Sequence, residues 1–338
     1  MNKIAIHGFG RIGRLTTRAA LSNGLFSPLS ISDITDLPTL AALFKADTNF
    51  GLWPENVGLS ADNPKSIEAL RIGDREIPYF NTKEDLPDWG ALGVDVVVDC
   101  TGRATKRPGA QVHLDHGARK VLISAASKTF EDCDAVILPG INFDSYDHAK
   151  HHIVSMGSCT TNALAPVVKV LLEHFGIESG FFSTVHAYTA TQALTDQPMK
   201  DRRDSWAAAE NIIPSSSGAA KALKFIWPTL NITGKAYRVP VRTGSIVELN
   251  VLLGKNTTRD EVNNFFREAV NHASLKGIMG VLEDEWASSR IVGEKLSCLV
   301  DLPLTQVLGG RFLSIAAWYD NEMAYATRLA EMATAIAG

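Results

Sequence analysis

Ser158-Cys159-Thr160-Thr161-Asn162 sets one cysteine between hydroxyl residues, directly ahead of the helix-like run from Ala163 to Phe175. Backbone N–H groups and the positive end of a helix dipole at such a place favour the thiolate, the nucleophilic form of cysteine. The hydroxyls on either side suit an anionic group beside the sulfur. A free cysteine is also a common small core residue, so the stretch gains chemical meaning only through partners. One candidate partner is His186, near the end of the strand-like run Gly180 to Tyr188. A second is Gly8-Phe9-Gly10-Arg11-Ile12-Gly13, between an apolar strand (Lys3 to His7) and a helical run (Arg11 to Asn23). A thiolate that adds to a carbonyl, a base that removes the resulting hydroxyl proton and a nicotinamide that takes the hydride would together oxidise an aldehyde through a thioester.

The glycine pattern has a separate physical reading at each position. Gly8 permits a tight turn, Gly10 lets the backbone approach a pyrophosphate, and Gly13 allows close helix–strand packing, with the pyrophosphate on the helix N-terminus. A second strand, Leu29 to Ser32, ends on Asp33, placed to accept hydrogen bonds from both ribose hydroxyls and to repel a 2′-phosphate. NAD is therefore the expected cofactor. Thr35 and the polar 191–206 segment leave NADP open.

These groups need two frameworks. The alternation of short apolar strands and helices through the first half predicts a Rossmann-type, doubly wound parallel sheet over 1–155, whose ligand edge lies at the C-terminal ends of the strands. Thr101, Gly102 and Ser124 fall at that edge, where each is equally readable as a simple turn residue. Residues 156–320 change character and predict an α+β catalytic domain with a mainly antiparallel sheet. An amphipathic helix within 321–338 is expected to pack back on the first domain. Pro166 predicts a kinked or delayed helix after Cys159, and 67–80 reads as a hairpin turning at Gly73-Asp74. His113, His116 and the histidines of 148–152 have charged neighbours and read as surface groups.

The length of 338 residues fits two such domains, and a formal net charge of −4 gives no reason to expect nucleic acid or an anionic membrane as partner. Four cysteines (Cys100, Cys133, Cys159, Cys298) lie far apart, with neither a CxxC pair nor metal-ligand spacing. No metal site and no disulfide framework are expected, which points to a reducing cytoplasm. No signal-like apolar stretch opens the chain, and no run is long enough to span a bilayer.

Six motifs in order make the chain similar to the glyceraldehyde-3-phosphate dehydrogenase family over essentially its whole length: HGFGRIGR at 7–14, SCTTN at 158–162, TVHAYTATQ at 184–192, NIIPSSSGAAKA at 211–222, RVP at 238–240 and WYDNE at 318–322. The resemblance implies Cys159 as nucleophile and His186 as general base and support for the thiolate, with the Cys159 N–H helping to hold an oxyanion. It implies Thr189 and Arg238 at the phosphate of glyceraldehyde 3-phosphate. Ser158, Thr160, Ser217 and Gly218 are implied at the attacking inorganic phosphate. Arg11, Ile12 and Asp33 are implied at the cofactor, Asn321 at the nicotinamide carboxamide and Tyr325 nearby. A homotetramer is implied too, in which the 191–206 segment crosses to a neighbour's cofactor site.

Several positions depart from that family's pattern. His7 and Met156 stand where asparagines are usual, Trp206 where arginine is common near the inorganic-phosphate subsite, Arg242 adds a charge after RVP, and Met323-Ala324 replaces Trp-Gly. They bear on phosphate affinity, substrate choice and cofactor preference. The rival readings are an erythrose-4-phosphate dehydrogenase or other phosphorylated-aldehyde dehydrogenase, and a non-catalytic binding paralogue. The retained SSGAAK run argues against the first, and the intact Cys159 and His186 against the second. An aspartate-semialdehyde-type enzyme accounts for neither RVP nor WYDNE.

Overall fold

The structure is a computed structural model that describes residues 2–60 and 68–338, so Ile67, the start of the expected hairpin, lies outside the described residues. It divides into two compact units, one of Met1–Ile137, Asp144–Gly157 and Ala326–Gly338, the other of Leu138–Phe143 and Ser158–Tyr325.

The first unit is built on a nine-stranded sheet. Its centre is parallel: Lys120–Ile123, Val96–Asp99, Ile4–His7, Ser30–Asp33 and Arg75–Asn81 lie side by side. Val96, Val97, Val98, Ile4 and Ile6 are buried, as expected for β-branched strands covered on both faces. The hairpin forms from Ala69–Ile72 and Arg75–Asn81. Register places His7 opposite both Ser32 and Asp99, so that His7, Asp33 and Asp99 come abreast at the C-terminal edge. The last helix starts at Met323, two residues later than expected. Within this unit Asn2 Nδ2 donates to Thr334 O at 3.0 Å.

Between strand Ile4–His7 and helix Arg11–Ser22 the turn needs glycine for two reasons. Gly8 has φ +85°, a left-handed backbone. A Cβ on Gly13 would stand 2.1 Å from Gly8 O and 3.2 Å from Ile6 Cγ2. The obstacle is main chain and cannot rotate away. Gly13→Ala is therefore expected to destabilise the protein by about 2–3 kcal/mol, the upper range of overpacking costs. A lowered urea midpoint with weakened NAD binding checks this; an unchanged midpoint would show that the helix shifts freely.

The second unit carries a seven-stranded sheet in the order Ile213–Ser216, Ile232–Val239, Ile177–Ala187, Ser245–Leu253, Phe312–Tyr319, Cys298–Leu308, Met279–Leu282. Four of its six pairings are antiparallel. Helix Cys159–His174 packs against its central strands. That helix is neither delayed nor broken by Pro166, which lies inside it. Proline removes one backbone hydrogen bond and crowds the preceding turn, while burial of Ala163 to Val168 on all sides holds the helix together. Among the described residues, no helix is long and apolar enough to cross a membrane.

Candidate active site

Cys159 is the first residue of its helix because Ser158 caps it. Ser158 Oγ accepts from Thr161 N at 3.1 Å, and Ser158 N donates to Thr161 Oγ1 at 3.0 Å, a reciprocal capping box. The sulfur thus sits at the positive end of the helix dipole.

His186 reaches the same point from strand Ile177–Ala187, where parallel pairing sets it opposite Arg238 on Ile232–Val239. Its Nε2 lies 3.3 Å from Cys159 Sγ. Its Nδ1 is 2.7 Å from Ala187 O and 2.5 Å from Arg238 Nη1. Nδ1 serves one of these at a time. Donating to Ala187 O, it leaves Nε2 bare toward the sulfur, which is the base form; accepting from Arg238, it leaves the proton on Nε2. Burial pushes the Cys159 thiol up, opposed by the Arg238 charge and by hydrogen bonds from Thr160. Burial, then Arg238, pushes His186 down to about 3. Each group alone therefore stays neutral, and charge separation requires the proton to pass between them as a pair.

Arg238 Nε is buried without a hydrogen-bond partner, a donor placed for an anion. The other expected phosphate ligands are placed differently. Thr160 is 4% exposed, and its hydroxyl is turned to Tyr319 Oη at 2.9 Å. Thr189 Oγ1 donates to Gln192 Oε1 at 3.1 Å. Ser217 Oγ accepts from Ala219 N, and Gly218 starts helix Ala219–Ile226 with no side-chain cap. Trp206 is 55% exposed, and Arg242 is exposed. Asn321 is buried, its Oδ1 accepting from Gly244 N at 3.2 Å and Ser245 Oγ at 2.9 Å. Tyr325 is buried in the last helix.

The first unit holds a cavity of about 480 Å³ lined by Gly8, Gly10, Asp33 and Thr101 among the expected residues, with apolar walls from Leu40, Leu43 and Val112. Its features fit a dinucleotide. A Cβ on Gly10 would meet nothing within 4 Å, so the main chain there is open to a ligand. No side chain caps helix Arg11–Ser22. The Asp33 carboxylate is held by Phe9 N at 2.6 Å and Thr35 N at 2.9 Å. Arg11 pairs with Asp47; Arg11, Ile12, Gly13, Gly102 and Ser124 lie outside the lining.

His113, expected at the surface, is 1% exposed. Helix Arg107–Asp115 turns it inward, where it joins His7 and Asp99. Trp89 Nε1 donates to His113 Nδ1 at 3.2 Å, which fixes the ring proton on Nε2, 3.1 Å from Asp99 Oδ2. A metal would have to displace that proton, so Trp89, His113 and Asp99 form a hydrogen-bonded chain that steadies the cavity wall, with the His7 ring edge-on to His113 and its Nδ1 2.8 Å from Ser32 Oγ. The sequence reading also passed over Tyr319 and Thr184, although both lie inside motifs it singled out.

Residues 2–107 match the family model described as glyceraldehyde 3-phosphate dehydrogenase, NAD binding domain, and residues 158–321 match its C-terminal domain. The chain is 44% identical over 335 residues to a glyceraldehyde-3-phosphate dehydrogenase of Streptomyces coelicolor, covering 98% of this chain and 97% of that one. It is 42% identical to that of Geobacillus stearothermophilus, over 99% and 98% of the two chains, and 41% identical to that of Chlamydia pneumoniae, over 98% and 97%. With both halves matched and relatives aligned almost end to end, the chain belongs to the glyceraldehyde-3-phosphate dehydrogenase family.

Proposed function

We propose that the protein oxidises D-glyceraldehyde 3-phosphate with NAD and inorganic phosphate, giving 1,3-bisphosphoglycerate. The observation that carries this reading is the Cys159 Sγ–His186 Nε2 contact of 3.3 Å at a capped helix start, with the Arg238 guanidinium beside it. Arg238 and Thr189 bind the substrate phosphate. The Cys159 thiolate adds to the aldehyde carbon, the Cys159 backbone N–H stabilises the oxyanion, and His186 Nε2 gives it the proton taken from the thiol, forming the thiohemiacetal hydroxyl. Bound NAD supplies the hydride acceptor. His186 Nε2 takes the hydroxyl proton of the thiohemiacetal, leaving a thioester. Inorganic phosphate, held by Ser158, Ser217, Gly218 and the main chain at Thr160, then attacks the thioester and releases the thiolate.

The cofactor is held by Gly8, Gly10, Arg11, Ile12, Gly13, Asp33, Thr101, Gly102 and Ser124, with Asn321 and Tyr325 at the nicotinamide. Because Asn321 Oδ1 already accepts from Gly244 N and Ser245 Oγ, with Thr243 Oγ1 a third donor 3.3 Å away, its amide N–H is the group it offers to a carboxamide oxygen. Four free cysteines suit a reducing cytoplasm, and the proposed reaction is a step of glycolysis. Homotetramer formation draws support from exposed Phe181, Val185, Leu304 and Phe312 on the second unit's sheet strands.

Reduced-cofactor formation from glyceraldehyde 3-phosphate, with NAD or NADP and with or without phosphate, tests the reading. NADH formation that needs phosphate is expected. Phosphate-independent turnover would overturn the phosphorylating assignment, and preference for NADP would overturn the role given to Asp33.

A further inference from the structure

Helix Arg11–Ser22 carries its first charges the wrong way round for a helix start. No acidic residue lies in its first turn and no side chain caps it, while Arg11 and Arg14, three positions apart, add positive charge where the dipole is already positive. Asp47 answers Arg11. Arg14 has no such counterpart: Asp47 and Asp33 act on it only through space. Its Nη1 donates to Phe9 O at 2.9 Å, and its Nε is buried with no hydrogen-bond partner. The residue is 7% exposed, too little for bulk water to take the place of an anion.

A cation held in this way is costly unless something charged meets it. Neither nearby acid is free to do so. Asp47 accepts from Arg11 Nη1, Asn49 N and Phe50 N, and Asp33 accepts from Phe9 N and Thr35 N. The remaining charged neighbour, Arg18, is of the same sign and is spent on the carbonyls of Phe44 and Gly51. The missing anion must therefore come from outside the chain, and the way in is open. Arg14 lines the 480 Å³ cavity together with Gly8 and Gly10, where the main chain at Gly10 is uncovered.

The geometry points to Arg14 as the cation that binds the diphosphate of the dinucleotide, adding a charged side-chain donor to the main-chain N–H groups of the glycine turn. The inference rests on the placing of the cofactor at that turn. A diphosphate carries two negative charges and several acceptor oxygens, which suits a planar guanidinium better than a point charge. Phe9 offers Arg14 a second, purely mechanical task, since its O accepts from Arg14 while its N donates to Asp33 Oδ2 at 2.6 Å. The two tasks have different signatures. A strut beneath Phe9 would support the Asp33 end of the site as much as the diphosphate, whereas an anion-binding cation acts only on ligands that carry phosphate.

Dissociation constants of NAD, ADP and adenosine, measured by calorimetric titration without aldehyde, test the assignment. Arg14→Met keeps an unbranched apolar stem and removes the charge and the donors. It is expected to weaken NAD and ADP about ten- to a hundredfold, the worth of hydrogen bonds between charged groups, and to leave adenosine within about twofold. Arg14→Lys keeps the charge without the fork and gives the same comparison should Arg14→Met not fold. It is expected to weaken ADP by about three- to tenfold, again sparing adenosine. Equal losses for ADP and adenosine would reduce Arg14 to the strut beneath Phe9 and overturn the assignment, as would unchanged ADP binding. Gly13→Ala crowds the same turn and leaves the charge in place. If it weakens ADP while Arg14→Met does not, Arg14 alone loses its role; if neither weakens ADP, the diphosphate lies elsewhere and the placing of the cofactor at the turn falls with it.

Discussion

Cys159→Ser is expected to lower NADH formation from glyceraldehyde 3-phosphate by about four orders of magnitude or more, the range seen when a covalent nucleophile is removed. The reason is ionisation. A thiol starts within reach of its neighbours: the helix N-terminus, Arg238 and His186 at 3.3 Å together favour the thiolate against the upward push of burial. A serine hydroxyl is a far weaker acid, and the same neighbours do not bring it to an alkoxide near neutral pH. The His186 ring, held down to about 3, accepts a proton only when its loss leaves a stabilised anion behind. NAD binding is expected to be retained, because the cavity-lining residues all belong to the first unit and Cys159 to the second. Intact NAD affinity with absent turnover would fix the defect at the chemical step. Turnover within tenfold of wild type would remove Cys159 from the mechanism and reduce it to the structural cysteine that a lone thiol usually is.

What the chain made legible, and what it hid, follows from the range over which each feature is encoded. The roles of Gly8, Gly10 and Gly13 could be read directly because each answers a local backbone demand, and the φ of Gly8, the open face at Gly10 and the crowding at Gly13 match those demands one by one. The parallel sheet was legible in the alternation of short apolar strands and helices, because strands such as Val96–Asp99 are buried on both faces and so read as nearly continuous apolar runs. Around Cys159 the local signal misled. Pro166 argued for a kinked or delayed helix; the delay does not occur, because Ser158 and Thr161 cap the helix at Cys159 itself and burial outweighs the lost hydrogen bond. For His113, charged sequence neighbours suggested solvent, while helical periodicity places it on the face toward Trp89 and Asp99. The hydrogen bonds of Tyr319 to Thr160 and Thr184 could not be read at all, since Tyr319 is 159 positions from Thr160 and 135 from Thr184. Only sheet pairing brings Thr184 beside Val247 and Ser245 beside Tyr319. Residues whose task is set by their own backbone announce it; residues whose task is set by a partner on another strand do not.

His186→Asn is expected to cut kcat by about 10²–10⁴-fold, the usual contribution of a positioned general base, with a smaller change in KM for the aldehyde. Asparagine preserves polarity and approximate size but cannot accept a proton, so thiohemiacetal formation survives better than its oxidation. The pH behaviour follows from signs. In the wild type, ionisation of Cys159 hands its proton to Nε2, and the resulting cation 3.3 Å away lowers the cost of the thiolate. Remove the ring and that stabilisation disappears, while the burial that raises the thiol remains. The alkylation midpoint of Cys159 should therefore move upward, with less thiolate at neutral pH and a rate that keeps rising through the ordinary thiol range of about 8–9. Stopped-flow measurement of NADH formation beside an alkylation profile separates the two roles of the histidine. Loss of kcat with an unmoved midpoint would leave it a base and deny it any part in forming the thiolate. A moved midpoint with near-normal kcat at high pH would make thiolate formation its whole contribution, and the proton of the thiohemiacetal would then need another acceptor.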